Sequence, residues 1–243
     1  MDLKQALSKK YYHNVLDDLN EFKKDSIFDW NEANKIAAKE WEAKEPDGEK
    51  GYNNYYINSP YYIDAMATYN ATGKKTRLYS KLSKVIKSLK DVKTIVDFGC
   101  GVGSDSLEFA SDGYKVIAMD LPSISLDFVK FRINKHNKSL KIGVDVVEIA
   151  DSTEVPKVDL VLSLDTLEHV FDPYKTIEKL VKNKPKYLLF TTAFGIHETA
   201  EHTIPHHTDH KIAKIEKFIS SLGYEKQKLK VAFPPRLFKR IKK

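Results

Sequence analysis

Val96-Asp-Phe-Gly-Cys-Gly-Val-Gly103 is the stretch on which the reading of the fold turns. Ahead of it, Thr94-Ile-Val-Asp97 is short, apolar and β-branched, as a buried strand is, and behind it a helical pattern runs through Glu108. Glycines at alternate positions let the backbone bend sharply and let a ligand come within contact distance of the main chain. Asp120 closes the next strand, Tyr114-Lys-Val-Ile-Ala-Met119, 21 residues after Gly99, an interval suited to an acid that grips ribose hydroxyls. A dinucleotide site needs Gly-x-Gly-x-x-Gly, whereas this chain has Gly-x-Gly-x-Gly with Asp97 two residues before it. No Gly-Lys-Ser/Thr occurs, so a P-loop is excluded.

Outward from this turn, short apolar runs alternate with helical stretches. Further strands are predicted at Ile142–Val147, Asp159–Ser163, Tyr187–Thr192 and Glu225–Val231, with helices at Ser125–His136, Pro173–Val181 and Asp209–Leu222. This alternation predicts an α/β fold, a doubly wound and mostly parallel sheet whose ligands bind beyond the strand carboxyl ends. Upstream the pattern is helical. Leu3, Leu7, Val15, Leu19 and Phe22 recur near a 3.6 period, a second helix runs from Trp30 to Ala43, and a third from Thr76 to Lys90. Nine of the thirteen tyrosines precede residue 80. Residues 1–75 are therefore read as a helical, Tyr-rich cap or substrate lid, and residues 76–243 as a Rossmann-like catalytic domain with a basic tail. Tyr52, Tyr55, Tyr56, Tyr61 and Tyr62 would give such a lid apolar walls with polar tips.

At this point the chain resembles the class I methyltransferases that use S-adenosylmethionine. The likeness is carried by Val96–Gly103, by Val116-Ile-Ala-Met-Asp120, by Ala150-Asp151-Ser152 and by the run from Asp159 to Pro173, and it spans about residues 76–225. The last run is similar to the branch that includes ubiquinone-biosynthesis O-methyltransferases. The resemblance implies that the backbone around Gly99, Gly101 and Gly103 passes the methionine portion of the cofactor, and that Asp97 orders the turn and the amino group. It implies Asp120 on the ribose with Leu121 beside the adenine, Asp151 on the adenine amine with Ser152 next to it, and Leu164 bordering the sulfonium. Acids at strand ends suit a cationic, polar ligand on physical grounds as well. Two departures stand out: Asn183-Lys-Pro-Lys186 replaces the family's Pro-Gly-Gly, and only 20 residues follow Gly223. The expectation is a sheet truncated at its closing hairpin, with the basic tail in place of the last strand.

Five of the eight histidines, His197, His202, His206, His207 and His210, fall in the loop expected to overhang the methyl acceptor. Three readings stay open. One of them, or His169 in Leu-Glu-His-Val, is a general base, since imidazole titrates near neutrality. Alternatively His202, His206, His207 and His210, with Glu198, Glu201 or Asp209, bind a divalent or ferric metal ion. The third reading is a polar loop whose histidines cap and hydrogen-bond, with Thr208 as an N-cap.

Composition sets the outer bounds. Apolar residues make up 42% and charged residues 30%, which describes a globular chain with a real core. Cys100 is the only cysteine, so there is no internal disulfide and no multi-cysteine zinc site, and a reducing compartment fits. No apolar run approaches the ~20 residues of a membrane span, and the charged start MDLKQALSKK lacks a signal peptide's apolar stretch; a cytoplasmic protein is expected. The net charge of +6 is concentrated in residues 211–243, which carry eleven Lys and Arg against two Glu. No aromatic RNA-binding signature accompanies it, so nucleic acid is not the expected partner, although the tail could touch an anionic surface. The primary reading is methyl transfer to a small-molecule acceptor, at oxygen. The alternatives are an RNA or protein methyltransferase, whose binding would weaken steeply with salt, and a non-catalytic cofactor-binding subunit. Ser163-Leu-Asp-Thr166 stands where base N-methyltransferases carry Asn/Asp-Pro-Pro-Tyr/Phe, which counts against the former.

Overall fold

The computed structural model describes residues 10–24, 30–44, 47–192, 211–229 and 235–241. Among the described residues, six helices precede the first strand: α1 (Lys10–His13), α2 (Val15–Lys23), α3 (Trp30–Lys44), α4 (Gly48–Asn58), α5 (Tyr62–Ala71) and α6 (Gly73–Ser88). Then β1 (Thr94–Phe98), α7 (Ser104–Asp112), β2 (Lys115–Asp120), α8 (Ile124–His136), β3 (Val144–Glu148), β4 (Leu160–Leu164), α9 (Pro173–Val181) and β5 (Tyr187–Thr191) alternate. The chain closes with α10 (Ile212–Ser221), β6 (Tyr224–Lys226) and β7 (Arg236–Arg240).

The strands form one seven-stranded sheet in the order β3-β2-β1-β4-β5-β7-β6. Strands β1 to β5 pair in parallel, and β7 runs antiparallel to both β5 and β6. All five residues of β4, Leu-Val-Leu-Ser-Leu, and all five of β5, Tyr-Leu-Leu-Phe-Thr, are buried. A continuous apolar run without alternation is what a strand covered on both faces requires. Ile95, Leu160, Leu162 and Leu189 enter the core on one face, and Val96, Val161, Leu188 and Phe190 enter the core on the other.

The expectation of a truncated sheet is corrected here. Both closing strands are present, and the stretch read as a basic tail is β7, inserted between β5 and β6. Three of its five residues are cations, and they mask the two that pack. Leu237 joins the core on one face, and Phe238 joins the other, stacked on Phe190 with centroids 5.8 Å apart. Arg236 Nε donates to Glu216 Oε1 at 2.8 Å, and Arg240 Nη1 to the Lys184 carbonyl at 2.9 Å. Among the described residues no helix is long and apolar enough to cross a membrane.

The order in which strands are added to the sheet reverses between the parallel strands β1 and β4, and this opens a crevice at the carboxyl ends of those two strands. Helices α4, α5 and α6 lie over that end.

Candidate active site

The crevice is a cavity of about 780 Å³, a size that holds a nucleoside-sized ligand and more. Its sheet-side wall includes Gly99, Gly101, Asp120, Leu121, Asp151 and Leu164, six of the nine residues the sequence assigns to a cofactor. The other three lie apart from the lining. Asp97 is buried behind the turn and accepts from Ser106 Oγ at 2.6 Å; Gly103 caps α7; Ser152 is exposed.

Gly99 and Gly101 have φ of 73° and 55°, in the left-handed region. A Cβ on Gly99 would stand 2.3 Å from Thr166 Cγ2, and one on Gly101 would stand 1.8 Å from Met66 Cε. Both positions are thus restricted by backbone conformation and by protein neighbours, in addition to any ligand. The turn is pinned to the end of β2. Gly99 and Cys100 donate their amides to the Met119 carbonyl, at 2.8 and 3.2 Å. Asp120 Oδ2 accepts from the Gly101 amide at 2.7 Å and Oδ1 from the Leu121 amide at 2.8 Å. An ionised carboxylate offers about four acceptor sites, so Asp120 keeps capacity for two ligand hydroxyls. Burial raises its pKa, and the two amides oppose that rise. Asp97 is pushed up to about 7, first by burial and then by the charge of Asp105.

The sequence reading missed Lys75. This lysine is only 7% exposed, lines the cavity, and places Nζ 2.9 Å from Asp165 Oδ2 and 5.4 Å from the centroid of Tyr69. Burial alone would lower its pKa, but the charges of Asp165 and Asp105 prevail and raise it. The signal was available: Lys75 lies three residues before Leu78 and seven before Leu82, on the inward stripe of α6. Asp165, directly after β4, is itself held in a left-handed conformation with φ of 53°. Its amide donates to the Thr191 carbonyl at 3.1 Å, and Thr191 Oγ1 donates to its Oδ1 at 2.7 Å.

Aromatic side chains also wall the cavity. Tyr56, Tyr62, Tyr69 and Phe171 line it. Edge-to-face contacts tie Trp41 to Tyr52 and Tyr55 (both 4.8 Å), Tyr55 to Tyr56 (5.1 Å) and Tyr56 to Tyr62 (5.1 Å). Of the five tyrosines proposed for a lid, Tyr56 and Tyr62 reach the cavity; Tyr55 is buried behind them, and Tyr52 rests on Phe171. His169 also lines the cavity, with Nδ1 3.2 Å from the Tyr56 hydroxyl. His197, His202, His206, His207 and His210 lie outside the described residues, as do Glu198, Glu201, Thr208 and Asp209. Among the described residues no group of three His, Cys, Asp or Glu could hold a metal ion.

A 3-2-1-4-5-7-6 sheet with a glycine turn after β1 and acids ending the neighbouring strands defines the class I methyltransferase fold. Within that class the chain belongs to the family described as "Tellurite resistance protein TehB", whose profile matches residues 61–196. It is 33% identical to the ubiquinone biosynthesis O-methyltransferase of Nitrosomonas europaea over 106 residues, 42% of this chain and 44% of that protein. To the enzyme of the same name from Hydrogenovibrio crunogenus it is 28% identical over 132 residues, 54% of each chain. The chain therefore spans about half the length of the curated relatives it matches. Among solved structures, the magnesium protoporphyrin IX methyltransferase of Synechocystis PCC 6803 with bound S-adenosylhomocysteine shares the fold. Its TM-score is 0.55 at 18% identity, and the match covers 84% of this chain and 93% of that one.

Proposed function

We propose that this protein transfers a methyl group from S-adenosylmethionine to the oxygen of a small-molecule acceptor. The observation that carries the reading is that the glycine turn, Asp120, Asp151 and the aromatic side chains of Tyr56, Tyr62, Tyr69 and Phe171 line one and the same cavity. The cofactor, when bound, supplies an electrophilic methyl on a sulfonium. The chain's own residues bind it, orient the acceptor and exclude water, which is the main protein contribution to an in-line displacement. In this reading Asp120 holds the ribose, Asp151 the adenine amine, and Leu121 and Leu164 the apolar edges. Asp97 orders the turn from behind, and the Lys75 ammonium meets the carboxylate of the methionine portion. Tyr56, Tyr62 and Phe171 cover the acceptor, and a walled cavity suits a small molecule better than a polymer, which needs an open groove.

His169 is the base that this geometry favours for the acceptor proton, because it lines the cavity and is oriented by Tyr56. The single buried thiol of Cys100 is consistent with work in a reducing, cytoplasmic compartment. The test is transfer of labelled methyl from S-adenosylmethionine to a panel of hydroxylated aromatic acceptors, alongside calorimetric titration with S-adenosylhomocysteine. Absence of heat with S-adenosylhomocysteine would sink the reading. Full turnover by His169→Ala would move the base to the loop of residues 197–210, and loss of turnover in chelator would bring back the metal reading.

A further inference from the structure

The N-terminal segment and the glycine turn share one buried cation. Arg132, on α8, is fully buried. Its Nε donates to Asp18 Oδ2 at 2.9 Å, its Nη1 to the Val102 carbonyl at 2.6 Å and to Ser104 Oγ at 3.0 Å, and its Nη2 to the Tyr11 carbonyl. Val102 lies between Gly101 and Gly103, so one guanidinium joins the cofactor turn to α1 and α2. Asp18 is 1% exposed and also meets His136 Nε2 at 2.9 Å and Lys135 Nζ at 3.0 Å. Burial pushes its pKa up, but these three partners outweigh that and hold it low. The same segment grips α7: the Tyr11 amide donates to Glu108 Oε1 at 3.0 Å, and the Tyr12 hydroxyl donates to Asp105. Val15 and Leu19 pack in one cluster with Val102 and Phe128.

No residue from 10 to 23 lines the cavity, so the segment does not act by touching a ligand. Its influence runs through Arg132. A buried guanidinium stripped of its carboxylate is costly, so undocking of residues 10–23 forces Arg132 to re-solvate. That movement takes the donor away from Val102 and frees the turn.

Resting on the S-adenosylmethionine reading above, we propose that Arg132 is a positioning residue of the cofactor site. It couples docking of residues 10–23 to the ligand-accepting form of the glycine turn, so that each favours the other. The region ahead of the sheet then has two tasks: residues 10–23 brace the turn from behind, and residues 48–71 wall the cavity.

Hydrogen exchange of the full chain, with and without S-adenosylhomocysteine, tests this beside calorimetry on the same samples. Saturating ligand should slow exchange at residues 11–23. Arg132→Lys, whose three donors on one nitrogen cannot span the four acceptors that the guanidinium reaches, should weaken S-adenosylhomocysteine binding on the order of tenfold and abolish the slowing. Asp18→Asn, which keeps the shape of the site, should do the same and serves alone if Arg132→Lys does not fold. Unchanged exchange in wild type that demonstrably binds the ligand overturns the coupling while leaving the cofactor reading intact. So does wild-type affinity in both variants accompanied only by lower melting temperatures, the signature of a purely structural ion cluster. A wild type that binds no S-adenosylhomocysteine overturns both readings.

Discussion

Lys75 Nζ lies 2.9 Å from Asp165 Oδ2, and this ion pair joins α6 to the turn after β4 inside the cavity. Removing one partner strands the other. Lys75→Met should cost about 2–4 kcal/mol of stability, less than a wholly buried pair because Asp165 is 36% exposed. The pH dependence follows from the two directions. Asp165 is held low, so its contribution is present above the unfolded carboxylate pKa and fades as pH falls through its folded value. Lys75 is raised, so its contribution is present below the unfolded lysine pKa and fades as pH rises through its folded value. The difference between wild type and Lys75→Met in denaturant titrations should therefore be flat from about pH 5 to 10. The variant should also bind S-adenosylhomocysteine more weakly, and equal affinity would remove Lys75 from the site.

Asp120→Ala should weaken S-adenosylhomocysteine binding by ~1.5–3 kcal/mol through lost charge-assisted hydrogen bonds, measured by calorimetry. The wild-type affinity should decline on acidification at a higher pH than for an ordinary carboxylate, because burial raises the pKa of Asp120. That decline should be absent in the variant. Affinity equal to wild type at pH 8 would show that the ribose is held elsewhere.

How far the sequence could be read differs from place to place, for physical reasons. The parallel strands were legible because β4 and β5 are predominantly apolar runs without polar alternation, and the turn was legible because three glycines at alternate positions have few other uses. Strand β7 was not, since Arg236, Lys239 and Arg240 outweigh Leu237 and Phe238 in any count of charge, although only the latter two decide its burial. Lys75 was overlooked because a lysine is assumed to face water, and only its place on the stripe of Leu78 and Leu82 says otherwise. Asp120 was singled out by its interval from Gly99, by its place at the end of a strand and by the family likeness of Val116–Asp120. Its bond to the Gly101 amide, which makes it part of the turn's architecture, needed coordinates.

Asp97 offers a test of buried charge. Its pKa is raised to about 7 by burial and by Asp105, so the folded chain holds a proton there that the unfolded chain releases near pH 4. Stability therefore falls as pH rises from about 4 to 7, and the penalty is complete above 7. Asp97→Asn should stabilise the protein by about 2–4 kcal/mol at pH 8 and leave it nearly unchanged at pH 4, as thermal melts would report.

Gly99 and Gly101 separate backbone strain from side-chain collision. Either glycine replaced by alanine bears about 1–2 kcal/mol for its left-handed conformation. At Gly101 the collision is with Met66 Cε, the end of a flexible chain that can swing aside. At Gly99 it is with Thr166, whose Cβ itself would stand 2.9 Å away and whose branched side chain has few rotamers to move into. Gly99→Ala should therefore destabilise by at least about 2 kcal/mol more than Gly101→Ala, with overpacking added to strain. Thr166→Gly in the Gly99→Ala background should restore the collision component and leave the strain, whereas in the Gly101→Ala background it should restore nothing. Denaturant midpoints for the four variants decide the matter; equal losses at Gly99 and Gly101 would mean that Thr166 yields as easily as Met66.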